Sequence, residues 1–284
     1  SLSTGSDGAG SVAVQDDGKL IVAATRTNVD NGRTQFVILR YMANGTLDNS
    51  FDGDGILVLP FPALNNAEGR DVIVTEDNKI IAVGRNSSAF AVVKLNPDGT
   101  LDSAFGDSGI VSMSISGNDL SLTRVALLSD GRIVLAGTRR FGGTNYHFAV
   151  VRLNANGTLD TSFDGDGLAV TKVGVGTPDQ DAARAVVVQH DDRIVVAGDS
   201  NNGSGTFFDA AAVRYNLDGS LDQTFGGDGK VHIPFGNDYD AANDIALQQD
   251  GTLVLAGNSI VGSDSQFALA RINPDGSPDM TFGI

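Results

Sequence analysis

The 284-residue chain has no Cys, no Trp and only two Glu, Glu68 and Glu76. Without Cys there are no disulfides and none of the usual zinc sites, and a chain this long builds a core that needs no such staples. With Glu nearly absent, the acidity rests on Asp, which belongs in turns where Glu favours helices. A helical protein is therefore excluded. Cations are scarce as well: 19 Lys and Arg against 35 acidic residues leave a net charge of -16. Such a balance offers no surface for nucleic acid or an anionic membrane. No run of about 18 apolar residues exists, so no membrane-inserted helix is expected. Five Lys, abundant Asp and Asn and absent Cys lean towards a secreted or cell-surface bacterial protein. The chain opens at Ser1 without Met or a signal-like apolar segment, and the expectation is a processed or trimmed piece of a larger chain.

What the chain does have is Gly, 36 residues of it, and repetition. LDNSF (47–51), LDSAF (101–105), LDTSF (159–163), LDQTF (221–225) and PDMTF (278–282) place Phe at 51, 105, 163, 225 and 282, at intervals of 54, 58, 62 and 57. A near-constant period of this size marks a repeat architecture. Each unit reads as four strands. A first run such as DVIVT (71–75) leads through an Asp-Gly turn to a second such as IIAVG (80–84). The third, FAVVKL (90–95), leads through NPDG (96–99) and LDxxF to a fourth such as ILVLPF (56–61) or KVHIPF (230–235). Short β-branched runs joined by Asn/Asp-Gly turns are antiparallel hairpins. The expected fold is all-β: a five-bladed β-propeller of four-stranded antiparallel blades, at about 8–61, 67–115, 119–173, 182–235 and 241–284 plus 1–7, forming one domain. The last unit stops at TFGI (281–284), and SLSTGSDGAG (1–10) continues its pattern. The N-terminal strand, Ser1 to Thr4, is thus expected to complete the last blade and close the ring, leaving no sheet edge open.

The motif [DN]-G-[ST]-x-D-x-[ST]-F-G-x-x-G, following the Asp-Gly-[KR] turn and the [FA]-A-[VL]-[VA]-[RK]-[LI]-N strand, resembles the delta-60 repeats, a bacterial β-propeller group of undefined function. It covers essentially all of 8–284. The resemblance implies a propeller within secreted multidomain proteins and brings no catalytic residues. Blade order is also similar to NHL-repeat propellers, which implies that AVVVQ-type strands lie innermost.

Within each unit the basic residue of the third strand stands eight residues before the Asp of LDxxF: Arg40 and Asp48, Lys94 and Asp102, Arg152 and Asp160, Arg214 and Asp222, Arg271 and Asp279. The constant interval across a hairpin turn predicts a cation–carboxylate pair, or a carboxylate capping the turn, with Phe plugging the blade three residues on. The same stretch invites a calcium reading, with Asp52/Asp54 and Asp164/Asp166 as the metal candidates. Their spacing does not follow the alternating oxygens of a calcium loop, and the neighbouring glycines suit positive-φ turns, so no cofactor is expected.

Loop length varies at one end of the blades only, as in 26–35, 138–147, 199–208 and 258–266. Loops that vary on a rigid scaffold are where binding resides. Arg139, Arg140, Phe141, Tyr146, Phe207 and Tyr239 lie there as possible anchors. The first residues of the innermost strands, Arg70-Asp71, Thr123-Arg124, Arg184-Ala185, Asn243-Asp244 and Gly10-Ser11, are expected to ring a channel mouth at this end. His147, His190 and His232 occupy non-equivalent positions and are not expected to converge. The expectation is a non-catalytic recognition or scaffold module, a monomeric domain whose partner is a protein or surface glycan. The alternative is a glycoside hydrolase or carbohydrate-binding propeller with Asp71 and Asp244 as acid and base.

Overall fold

The computed structural model describes residues 6–61, 66–87, 89–114, 120–201, 203, 208–233, 235 and 239–283. Nineteen β-strands account for the regular structure among them. β1 (Gly8–Val14), β2 (Leu20–Thr27), β3 (Thr34–Tyr41) and β4 (Ile56–Val58) form the first sheet. The second is β5 (Ala67–Val74), β6 (Ile80–Asn86), β7 (Ala89–Leu95) and β8 (Ile110–Met113). The third holds β9 (Leu120–Leu127), β10 (Ile133–Arg140), β11 (Tyr146–Leu153) and β12 (Leu168–Thr171), and the fourth β13 (Asp181–Val188), β14 (Ile194–Asn201), β15 (Phe208–Tyr215) and β16 (Lys230–Ile233). β17 (Asp240–Leu247), β18 (Leu253–Val261) and β19 (Asp264–Ile272) make a three-stranded fifth sheet. Strand order follows chain order throughout, so each sheet is an antiparallel meander, one per sequence repeat. The strand expected from Ser1 to Thr4 lies outside the described residues.

The chain divides into two compact units, residues 1–125 with 155–158, and residues 126–154 with 159–284. In the first, the opening two sheets share a core: Ile21, Phe36, Ile38 and Phe51 pack on Val72, Ile80, Ala82 and Val93. In the second unit Phe148, Val150 and Phe163 of the third repeat pack on Ile194, Val196, Ala211 and Tyr215 of the fourth. Phe225 and Ala212 of the fourth pack in turn on Ile245, Leu255 and Ile272 of the fifth. A strand between two packed sheets is buried on both faces, and β14 is buried at all eight positions. That is why the second strands read as unbroken apolar runs instead of alternating ones.

The first strands are interrupted by a β-bulge. The register slips between Ala9 and Ser11, Gly69 and Asp71, Ala183 and Ala185, and Ala242 and Asp244. Opposite three of these sits a second-strand Gly. A Cβ on Gly198 would stand 1.9 Å from the Ala182 carbonyl, so only Gly admits the kinked neighbour there.

Candidate functional site

The five cation–Asp intervals resolve into a recurring clasp. Arg152 is fully buried, and its Nε lies 2.7 Å from Asp160 Oδ2. Its Nη2 donates to Ser162 Oγ at 2.9 Å, and its Nη1 donates to the carbonyl of Leu217 in the next repeat's third turn. The guanidinium lies over the Phe163 ring, 4.6 Å from its centroid. Arg214 repeats this with Asp222, Thr224, Pro274 and Phe225, and Arg40 with Asp48, Ser50, Pro97 and Phe51. Backbone completes the joint. Gly106 donates to Asn156 O at 2.8 Å, Asp164 to Asp218 O at 2.8 Å and Gly226 to Asp275 O at 2.9 Å, each bond running from the residue after the Phe into the next repeat's turn. The Gly of that turn is required: a Cβ on Gly99, at φ 95°, would meet the Phe51 ring at 2.7 Å. Cation and Asp therefore pair in four repeats, and in three of them Arg40, Arg152 and Arg214 also reach the next repeat's turn.

Lys94 departs from the expectation. It does not pair with Asp102; its Nζ reaches Ala155 O at 3.5 Å, while Asp102 is held by Lys79 at 2.8 Å. A Lys carries one compact charge and cannot bond the carboxylate, the hydroxyl and the next turn at once as the Arg fork does. The residue aligned with Ser50 and Ser162 is Ala104, so the hydroxyl is missing as well.

A second cation on these Asp went unrecognised in the sequence. It follows the Asp-Gly turn of the first hairpin: Lys19 lies 3.5 Å from Asp48, Arg132 3.0 Å from Asp160 and Arg193 3.3 Å from Asp222, with Lys79 on Asp102 as above. The signal was the Lys or Arg at 19, 79, 132 and 193, replaced by Thr252 in the last repeat. The Ser50 hydroxyl, aided by Arg40 and Lys19, holds Asp48 down at about 2 from the usual 3.8. Thr281 and Arg271 hold Asp279 at about 2. Burial pushes Asp160 up, but Ser162, Arg132 and Arg152 outweigh it and keep it well below the usual range.

At the opposite end of the sheets the bulges set the expected ring residues. Bulging re-aims one side chain, and the inserted residues are Gly10, Arg70, Arg184 and Asn243. Arg70 pairs with Glu68. Asp71 takes backbone N–H groups on both oxygens, from Val72 at 2.9 Å and Val125 at 3.0 Å. Arg124 donates to Thr123 O at 3.0 Å. Arg184 pairs with Asp199, which is 2% exposed, and donates to Tyr239 Oη at 3.2 Å. Burial pushes Asp199 up despite that partner. Tyr239 also donates to Asp199 at 3.2 Å and packs its ring on Phe208, a structural placement where a free loop anchor was expected. Asn243 bonds Asn258 at 3.0 Å, and Asp244 accepts from Ile245 N at 2.9 Å. Asp181 and Asp240, the first residues of β13 and β17, are buried and cap the preceding segments: Asp181 accepts from Val173 and Gly174, Asp240 from Phe235.

In the 138–147 loop Arg139 lies 4.8 Å over Phe141, and Arg140 lies 5.9 Å over Tyr146 while bonding Gly143 O at 3.0 Å. Tyr146 N donates to Asp179 O, and His147 stands 3.5 Å from the Asp179 carboxylate. His232 is separate, against Ser200 Oγ at 3.2 Å. Phe207 lies outside the described residues. Of the metal candidates, Asp52 and Asp164 occupy left-handed turn positions at φ 49° and 51°. Asp54 and Asp166 each accept the N–H two residues on at 2.9 Å. Among the described residues no group of three or more His, Cys, Asp or Glu is arranged to hold a metal.

Among the described residues, two clefts lie between the fourth and fifth repeats. One of about 540 Å³ includes His190, Arg193, Asp250 and Pro274. The other, of about 570 Å³, includes Gln223, Lys230, His232 and Pro278.

Serial four-strand meanders clasped turn to turn define a β-propeller-type repeat protein. A family model described as a domain of unknown function (DUF5122) beta-propeller matches residues 15–51, 75–105, 128–163, 189–225 and 248–282, and the chain belongs to that family. No curated protein matches the sequence. Among solved structures, a protein of unknown function from Dyadobacter fermentans aligns with a TM-score of 0.55 at 12% identity, covering 95% of this chain and 81% of that one. A PL25 ulvan lyase of the polysaccharide lyases aligns with a TM-score of 0.54 at 10% identity, covering 94% and 68%. Virginiamycin B lyase from Staphylococcus aureus reaches 0.46 at 12% identity, covering 92% and 84%. At these identities the likeness is one of fold alone.

Two outcomes are expected of the clasp. Arg152→Ala leaves Asp160 buried beside one cation and should cost about 3–5 kcal/mol in chemical denaturation. The double variant Lys94→Arg/Ala104→Ser should instead stabilise by about 1 kcal/mol, more than its single variants summed; a neutral or destabilising double would show that the second repeat has no room for the fork. The depressed carboxylates Asp48 and Asp279 contribute stability that is complete above 3.8 and is lost as pH falls through about 2. The melting temperature should therefore drop steeply between these values, with a shallower slope in Asp48→Asn.

Proposed function

We propose that the chain is a non-catalytic recognition or scaffold propeller of a secreted or cell-surface bacterial protein. It acts as a monomeric domain of a larger chain and engages a protein or surface glycan through its variable-loop end, without calcium or another cofactor. The observation that carries this reading is the engagement of the carboxylates at that end. Asp71 takes two backbone N–H groups, Asp181 two more, Asp240 one, and Asp199 lies between Arg184 and Tyr239. An acid–base pair needs carboxylates able to exchange protons with a ligand, and these serve as fixed acceptors. The motif-level likeness to delta-60 repeats agrees with a surface module.

Ring closure belongs to the same proposal. Phe267 is 76% exposed, whereas Phe36, Phe90 and Phe148, at the same place in their repeats, are 0–2% exposed. Val12 and Val14 on β1 are exposed too, at 58% and 63%. The last repeat has the cation half of a clasp, Arg271 over Phe282, and the first repeat has an unmatched turn whose Gly45 meets nothing within 4 Å. Exposed apolar faces that match in this way are unstable apart.

If the ring closes, Phe267→Asp should destabilise by about 3–5 kcal/mol, as burying an unpaired charge in place of a core Phe does; a change within about 0.5 kcal/mol would leave the face open to solvent. The non-catalytic reading is tested by incubation with a panel of bacterial and algal polysaccharides. No reducing ends or unsaturated uronates should appear, and release that disappears in Asp71→Asn or Asp244→Asn would restore the hydrolase alternative.

A further inference from the structure

The first-turn tips of neighbouring repeats are bridged by a side chain from a left-handed position. Asn78, at φ 58°, accepts from Asp16 N at 3.4 Å and donates to its carboxylate at 3.1 Å. Asp192, at φ 62°, accepts from Ser129 N at 2.8 Å and from its hydroxyl at 2.5 Å. The third and last repeats have Gly in this place, Gly131 at φ 84° and Gly251 at φ 85°, with no side chain to offer. The residue aligned with Asp16 and Ser129 is His190. It is exposed, and among the described residues its N–H has no partner. The cleft of about 540 Å³ lies beside Gly251 and His190, between the fourth and fifth repeats.

Its walls combine acceptors, donors and an apolar strip. Asp250 and Asp275, whose Oδ1 atoms hold their own turns through Thr252 and Ser277, line the cleft. Arg193, His190 and Gln189 bring donors, and Leu247 and Pro274 supply carbon surface. The volume lies within the roughly 300–1,000 Å³ usual for small-molecule sites. An anion would face Asp191, Asp250 and Asp275 in a chain of net charge -16. A neutral ring bearing neighbouring hydroxyls satisfies every feature, because each hydroxyl both donates and accepts and the C–H face of the ring packs on Leu247 and Pro274. We propose that this cleft binds a neutral pyranose unit of a glycan, with one hydroxyl oxygen accepting from His190 N–H where Asp192 accepts from Ser129 in the preceding seam. This site is on the constant-turn end and does not rest on the variable-loop reading.

Gly251→Asn tests it by installing the side chain that Asn78 supplies elsewhere. A Cβ there meets only Pro274 Cγ, at 3.5 Å, and although φ is 85°, Asn is among the residues that take left-handed φ most readily, as Asn78 does at 58°. Titration of the full chain with maltotriose, cellotriose and β-1,4-galactotriose, read by calorimetry, should show saturable binding of at least one. Gly251→Asn should weaken that binding about ten-fold or more, the equivalent of about 1.4 kcal/mol, with a thermal midpoint equal to or above that of the parent. His190→Ala keeps the backbone N–H and removes only the ring, so it should weaken binding less than Gly251→Asn, with the midpoint unchanged. The proposal falls if none of the three saturates, if Gly251→Asn binds as the parent does, or if trigalacturonate binds as tightly as the neutral sugars. Loss of the variable-loop partner alone would not touch it.

Discussion

The structure depends on a guanidinium buried at the end of the third strand, Arg40, Arg152 and Arg214 in the first, third and fourth repeats. A buried charge is tolerated only when it is paired and its donors are satisfied. Arg152 meets that demand with a carboxylate, a hydroxyl, a carbonyl and an aromatic face, and only the carbonyl belongs to the next repeat. Satisfying the last donor therefore requires the following sheet to be in position. The local hairpin pattern and the packing of neighbouring sheets become a single cooperative condition. Phe51, Phe105 and Phe225 add the apolar share, since each is buried against the Gly of the turn it helps to dock.

Clasping successive repeats at the third turn leaves the other end of the sheets less constrained. There the first strands bulge and the loops change length, while the carboxylates secure local backbone: Asp181 caps Val173 and Gly174, and Asp71 ties β5 to Val125. Stability is concentrated where sequence is uniform, and the variable loops rest on a frame that does not depend on them.

Much of this was legible in the sequence. The period, the four runs per unit and the eight-residue interval follow from hydrophobic patterning and turn chemistry, both local. The second cation on each Asp was not, because Arg132 and Asp160 lie on different hairpins and meet only through the register of β10 with β11. Register also decides that Arg70 and Arg184 fall on bulges, and no propensity announces a one-residue slip. The failure at Lys94 was readable in principle. Lys in place of Arg and Ala104 in place of Ser or Thr occur in one repeat, and either alone leaves the fork incomplete.

The seam between the fourth and fifth repeats shows what the clasp permits. Arg214 bonds Pro274, Gly226 bonds Asp275, and a Cβ on Gly276 would strike the Phe225 ring at 3.0 Å, so the third-turn joint there is complete. The first-turn bridge a short distance away is missing at Gly251. Had the bridge been needed for docking, Ile245, Leu255 and Ile272 would not remain packed on Ala197, Ala212 and Phe225, yet they form one core. The clasp alone thus holds the register of the two sheets, and a gap at their other turn costs only the bridge itself. A repeat protein fastened in this way tolerates Gly at the left-handed first-turn position, as at Gly251, with no rearrangement of either sheet.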